Sequence, residues 1–306
     1  MVFTSVAALF AISSLVLFQT PTPAPSPTVA PKETLAALPA PSADGPTLVL
    51  EADAHFAQRS LGAIDEVANR QEIDAAIDLY RKAMISSPRD VETLAKLMRA
   101  LHFRGAYTGA DLEEKKAIFE EGRKLGQDAI NRLETEARST PALPRIEALR
   151  LVKSAPALYL WTAGHLGEWG LVRGKFTAAR SGVAAKLRDL AQTVVDLDPA
   201  YEGGAGYRIL GRLHAEAPKI PFITGWVSHA KGVEYLRLAY EKAPHHPVTL
   251  YFLAEAILDH EPAKREEALR FLELCANSPP RLEAALEDAR YSRLARRQLG
   301  ELRSAS

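Results

Sequence analysis

AIDLYRKAMISSP, residues 76–88, and ALRFLELCANSPP, residues 268–280, share one spacing pattern. Ala76, Tyr80, Ala83 and Pro88 step by four, three and five residues, and Ala268, Leu272, Cys275 and Pro280 repeat the steps. On a helix these steps set small, large and small side chains on one face, with a proline just past the end. Small residues let a second helix come close, and the large one plugs between the two. Each segment therefore reads as one half of a helical hairpin.

The pattern is that of the second helix of a tetratricopeptide (TPR) repeat. One such unit cannot bury its apolar face alone, so several must stack into a solenoid with a concave surface. Outward from the two segments the chain parses into pairs. Residues 48–68 and 71–86 form the first, and 91–103 and 111–137 the second, with a turn at Gly105 and Gly109. The 111–137 helix opens on Glu113, Glu114, Lys115 and Lys116, which read as a solvated face. Ile118, Leu125, Ala129 and Leu133 mark its buried stripe.

The third pair starts near Pro144 and continues in 176–197, and the fourth runs from Gly203 through an insertion at 217–225 to a helix at 227–242. The fifth is 248–260 with 263–276, and a final amphipathic helix at 281–302 caps the stack. Pro244 to Pro280 is close to the ~34-residue TPR period. No stretch alternates with period two, so no sheet is expected. The fold class is all-α, a TPR-like α-solenoid of about five helical hairpins plus a C-terminal capping helix.

Composition agrees with a helical binding module. Hydrophobic residues make up 47% and aromatics only 7%, so the core rests on Ala and Leu. Lys plus Arg and Asp plus Glu both number 38, which leaves no basic excess for a general nucleic-acid binder. The single Cys275 excludes an internal disulfide or multi-cysteine zinc site, and it fills the small slot of its repeat as an inert thiol.

Residues 2–18 are an uncharged apolar run, so 1–19 is expected to be a signal peptide or an N-terminal membrane anchor. Both options stay open, since neither a basic start nor a clean cleavage site is present. Residues 20–46 form a Pro/Ala-rich linker, either a semi-rigid tether or a leader without a spacing role. The helical-repeat domain is then 47–306, outside the cytoplasm, periplasmic or membrane-anchored.

Two groups of residues are candidate binding elements. Trp161 and Trp169 lie about two helical turns apart, and Trp226 and Phe222 lie in the insertion. Together they suggest an apolar groove for a hydrophobic small ligand or a partner segment, although Trp161 and Trp169 also suit an ordinary core. Tyr207 and Arg208 follow Gly203, Gly204 and Gly206, where exposed amides and a guanidinium favour an anion. The competing reading has the glycines for tight packing, Tyr207 as a core plug and Arg208 in an ion pair.

No catalytic or metal constellation emerges. His245 and His246 are adjacent and flanked by prolines, which reads as a turn with diverging rings. Glu168 and Glu255 read as partners for arginines, and Ser181 lacks a strand–turn–helix elbow. No cofactor motif is present.

Three blocks in order carry a family resemblance: LYLWTAGHLGEWG at 158–170, LDPAYEGGAGYRILGRLHAEAPKIP at 197–221, and a repeat ending near Pro247 followed by YFLAEAILD at 251–259. Together they resemble the T-component of TRAP transporters, the TatT family of exported TPR-like proteins, across roughly residues 142–280. The resemblance implies a non-enzymatic protein that works with the periplasmic solute-binding protein of a TRAP system and can form homo-oligomers, including a trimer. The lack of a lipobox cysteine departs from the family, as does the apolar FITGWVS at 222–228. The function expected is an accessory component of a TRAP-type solute transport system. The alternative is a general envelope TPR scaffold for protein–protein interaction, and an enzyme is the remaining class.

Overall fold

The computed structural model describes residues 44–139 and 143–304, apart from the side chains at 175 and 176. The expected signal peptide or anchor at 1–19 and nearly all of the expected linker at 20–46 lie outside the described residues. Within them the chain is all helix: α1 (Gly45–Ala57), α2 (Arg70–Ser86), α3 (Val91–Tyr107), α4 (Leu112–Arg138), α5 (Arg145–Arg150), α6 (Ala155–Arg173) and α7 (Lys175–Arg180) make the first half. The second half holds α8 (Val183–Leu197), α9 (Tyr201–Glu216), α10 (His229–Lys242), α11 (Pro247–His260), α12 (Arg265–Asn277) and α13 (Ala285–Ser304). An isolated bridge, Ile64 to Val67, is the one β feature among the described residues.

Both segments that set the pattern are core. Ala76, Tyr80, Ala83, Ala268, Leu272 and Cys275 are all essentially inaccessible to solvent. Tyr80 completes its hairpin polarly as well, its hydroxyl donating to Asp53 on α1 at 2.6 Å. Starts are set by caps: Asn69 accepts from the Gln71 amide, Asp90 from that of Glu92, and Asp111 forms a reciprocal capping box with Glu114. Five hairpins result, α1/α2, α3/α4, α6/α8, α9/α10 and α11/α12, with α13 packed on α11 and α12. This is a TPR-like helical-repeat fold with a capping helix.

Several boundaries differ from expectation. The first helix ends at Ala57, because Gly62, Asp65 and Glu66 adopt left-handed backbone and turn the chain before α2. Gly105 stays inside α3, where its missing side chain makes room for the Phe119 ring, and the turn falls at Gly109 alone. The expected helix at 176–197 breaks at left-handed Gly182 into α7 and α8. In α4, Phe119, Gly122, Gly126, Ala129, Ile130, Leu133 and Ala137 form the buried face, while Ile118 and Leu125 sit at its edge. Glu114 does more than solvate that helix. It takes a two-pronged bond from Arg70 of the preceding hairpin at 2.9 Å, which holds its carboxyl down at about 2.

The stack closes on itself. Leu286 of α13 belongs to the apolar cluster formed by α1, α2 and α3. Arg59, just past α1 and only 4% exposed, donates to the Glu283 carbonyl and to the Glu287 carboxylate at 2.9 Å. Arg293 grips Glu66 with two bonds, and Arg290 lies over the Tyr107 ring at 3.9 Å while donating to the Ala106 carbonyl. The expected concave surface is therefore the inside of a ring that α13 closes onto the first hairpins.

Candidate functional site

Ring closure places residues of α1, α3, α6, α8, α9, α11 and α13 around one cavity of about 230 Å³. Its wall is mostly apolar, with Phe56, Phe103, Trp161, Phe252 and Tyr291 supplying aromatic faces. Among these stand four arginines, Arg99, Arg208, Arg212 and Arg281, together with His102 and His246. Glu202, Glu283 and Glu287 line it too.

The arginines are not equivalent. Arg212 bonds Glu216 at 2.9 Å and Glu255 at 2.8 Å, and lies over Phe252 at 4.5 Å. Arg281 clasps buried Asp288 with its backbone and side-chain N–H groups. Arg208 donates to the carbonyls of Gly203 and Glu202 at 2.6 and 2.7 Å. Burial, with Arg281 adding repulsion, pulls the Arg208 guanidinium down to about 10. Among the described residues Arg99 makes no hydrogen bond or ion pair, and its guanidinium lies near the rings of Phe56 at 5.0 Å and Trp161 at 5.9 Å. Such cation–π contacts stabilise a guanidinium by about 0.5–2 kcal/mol, less than a charge-assisted hydrogen bond typically adds.

The two histidines are held neutral. Burial, reinforced by His165 and Arg290, takes His102 down to about 3. Burial also drives His246 far below the usual imidazole range, with Arg208 and Arg281 assisting. Nε2 of His102 and Nδ1 of His246 are buried without a hydrogen-bond partner. His245 and His246 do lie in a turn, closed by the His246 amide on the Ala243 carbonyl, and His246 caps α11 with its ring buried at the cavity wall. Cys275, by contrast, is sealed away, its thiol pushed up to about 12 by burial.

Of the six residues proposed from sequence, the structure brings Trp161 and Arg208 to this cavity. Trp169 faces elsewhere, in the α6/α8 cluster beneath the Arg123 guanidinium at 5.0 Å. Tyr207 and Trp226 join a separate aromatic row, where Tyr207 stacks on Tyr235, and His214 contacts both Tyr235 and Trp226. Arg188 covers Trp226 at 4.6 Å. Phe222 is fully exposed at the tip of the insertion with a left-handed backbone (φ 63°), and Ile223 beside it is half-exposed.

The glycine cluster has an internal explanation. Glu202, Gly203 and Gly204 take positive φ, and the Gly203 and Gly204 amides both bond the Ala200 carbonyl. The amides and the Arg208 guanidinium thus satisfy the turn itself, which leaves no open anion cradle there. Glu255 is an arginine partner as expected, and Glu168 lies 4.0 Å from His102.

Sequence reasoning passed over Phe56, Arg99, His102 and Phe252. A usable signal exists in LMRALHF at 97–103, where Arg99 and His102 share a helix face one turn apart in an otherwise apolar segment. Among the described residues, no group of three His, Cys, Asp or Glu is placed to hold a metal ion, and no helix is long and apolar enough to cross a membrane.

No family model and no curated protein matches the chain. Among solved structures it is similar to the TPR2AB domain of yeast Sti1 in its pHSP90 complex. That alignment covers 82% of this chain and 98% of that one, at 13% identity with a TM-score of 0.27. A likeness that loose carries no functional argument.

Proposed function

We propose that this chain is a non-enzymatic binding scaffold of the envelope, a TPR-like ring that holds a ligand inside and meets a protein partner outside. The observation that supports it is the convergence of seven helices on a cavity of aromatic and guanidinium groups. The inner arginines and neutral histidines are suited to recognition, since most of the charges are already paired. A concave, mostly apolar cavity with a few placed polar groups is the usual form of a small-ligand site.

The outward partner is assigned to the insertion. Thr224 rigidifies that loop, accepting from the Ile220 amide and donating to the Pro218 carbonyl, so that Phe222 stands out at its tip. An exposed aromatic on a left-handed backbone costs conformational energy that a contact would offset. A photo-crosslinking side chain at position 222 of the full chain, expressed in its own cell, tests this. A discrete protein adduct at 222, absent with the probe at Glu301 on exposed α13, is expected; equal labelling at both positions overturns it.

A finer reading makes the partner the periplasmic solute-binding protein of a TRAP-type transporter. It rests on the three resembling blocks, which supply Trp161, Arg208 and Phe252 to one cavity. It also takes the leader at 1–19 as an export signal or anchor. Identification of such a subunit in the 222 adduct supports this reading, and any other partner leaves the general scaffold.

A further inference from the structure

We infer that Arg99 anchors the carboxylate of a small amphipathic organic acid whose apolar body lies against Phe56 and Trp161. This rests on the cavity being a ligand site, as proposed above. Arg212 and Arg281 are neutralised by carboxylates and Arg208 is held by two carbonyls, whereas Arg99 makes no ion pair or hydrogen bond among the described residues. Its planar fork, flanked by two aromatic faces, matches a carboxylate bidentately.

The neighbouring His102 does not compete for the acid. It lies one turn further along α3, is 5% exposed, and its sealed Nε2 faces the Glu168 carboxylate at 4.0 Å.

Size and charge narrow the class. A cavity of about 230 Å³ is on the scale of a small organic molecule and is too small for a helix, which is about 10–12 Å across with its side chains. Glu202, Glu283 and Glu287 line the same space, so a phosphate dianion is repelled about twice as strongly as a carboxylate monoanion.

The test is calorimetric binding of 3-phenylpropionate, octanoate and their primary amides to the full chain, to Arg99→Met and to Arg99→Lys. Melting curves establish that each variant is folded. The acids should bind wild type at least ten-fold more tightly than the amides. Arg99→Met should bring acid affinity down to the amide level without changing the amide, and Arg99→Lys should fall between. Equal binding of acid and amide, or undiminished acid binding by Arg99→Met, overturns the anchor while leaving the cavity a ligand site. Binding of neither acid nor amide overturns both.

Discussion

Gly126 and His165 show how tightly single residues set the contact between α4 and α6. A Cβ on Gly126 would lie 2.1 Å from the Thr162 hydroxyl and 2.7 Å from Met98, both deeply buried. Overpacking of this kind costs about 1–3 kcal/mol, more than the ~1 kcal/mol that alanine gains in helix propensity. Gly126→Ala should therefore lower the melting temperature by several degrees. Gly300→Ala on α13, where a Cβ meets nothing, should raise stability slightly. His165 adds a pH dependence. It bonds the Met98 carbonyl through Nε2, and burial takes its pKa down to about 4. The unfolded chain binds its proton near pH 6.5 and the folded one does not, so stability is full at neutral pH and falls between about 6.5 and 4. At pH 5 this histidine alone should cost about 2 kcal/mol. His165→Gln keeps a donor for the carbonyl, and thermal melts across that range should show a shallower decline. An equal decline would place the acid sensitivity elsewhere, with His102 the next residue to replace.

At the scale of elements, α13 carries a role that its own sequence conceals. Its amphipathic pattern marks a cap, and it does cover α11 and α12. The bonds that join it to the first hairpin link residues more than two hundred positions apart, such as Arg59 and Glu287, and no local periodicity reports such a pairing. Arg59→Met keeps the apolar stem but leaves the Glu287 carboxylate and the Glu283 carbonyl without their donor. A loss of about 2–3 kcal/mol is expected. Hydrogen exchange should quicken in α13 and α1 together, while α4 and α6 stay protected. Uniform quickening would mean that closure is not a separable step. Hairpin pairing was legible for the opposite reason, because the Ala–Tyr–Ala and Ala–Leu–Cys spacings encode local contacts. Helix ends at 57 and 182 were less so, since left-handed turns at Asp65, Glu66 and Gly182 leave little compositional trace.

On the scale of the whole molecule, the site is a product of closure. Trp161 and Arg208 were accessible to sequence reasoning because a tryptophan and a Tyr-Arg pair after glycines stand out. Arg99 and His102 leave only the local mark of a shared helix face, because their meaning depends on Phe56, Trp161 and α13 arriving at the same place. The tryptophans that looked alike separate by geometry: Trp161 faces the cavity, Trp169 a core, and Trp226 an outer aromatic row. The central claim is that the ring interior holds a small ligand. Native mass spectrometry of the full chain purified from its own envelope, beside Gly164→Leu, tests it most directly. Gly164 lines the cavity and a Cβ there meets only ordinary contacts, so leucine fills the space without breaking the helix. A small acidic molecule released on denaturing wild type and missing from Gly164→Leu is the expected result. A ligand-free wild type, or the same molecule retained by Gly164→Leu, would contradict the account.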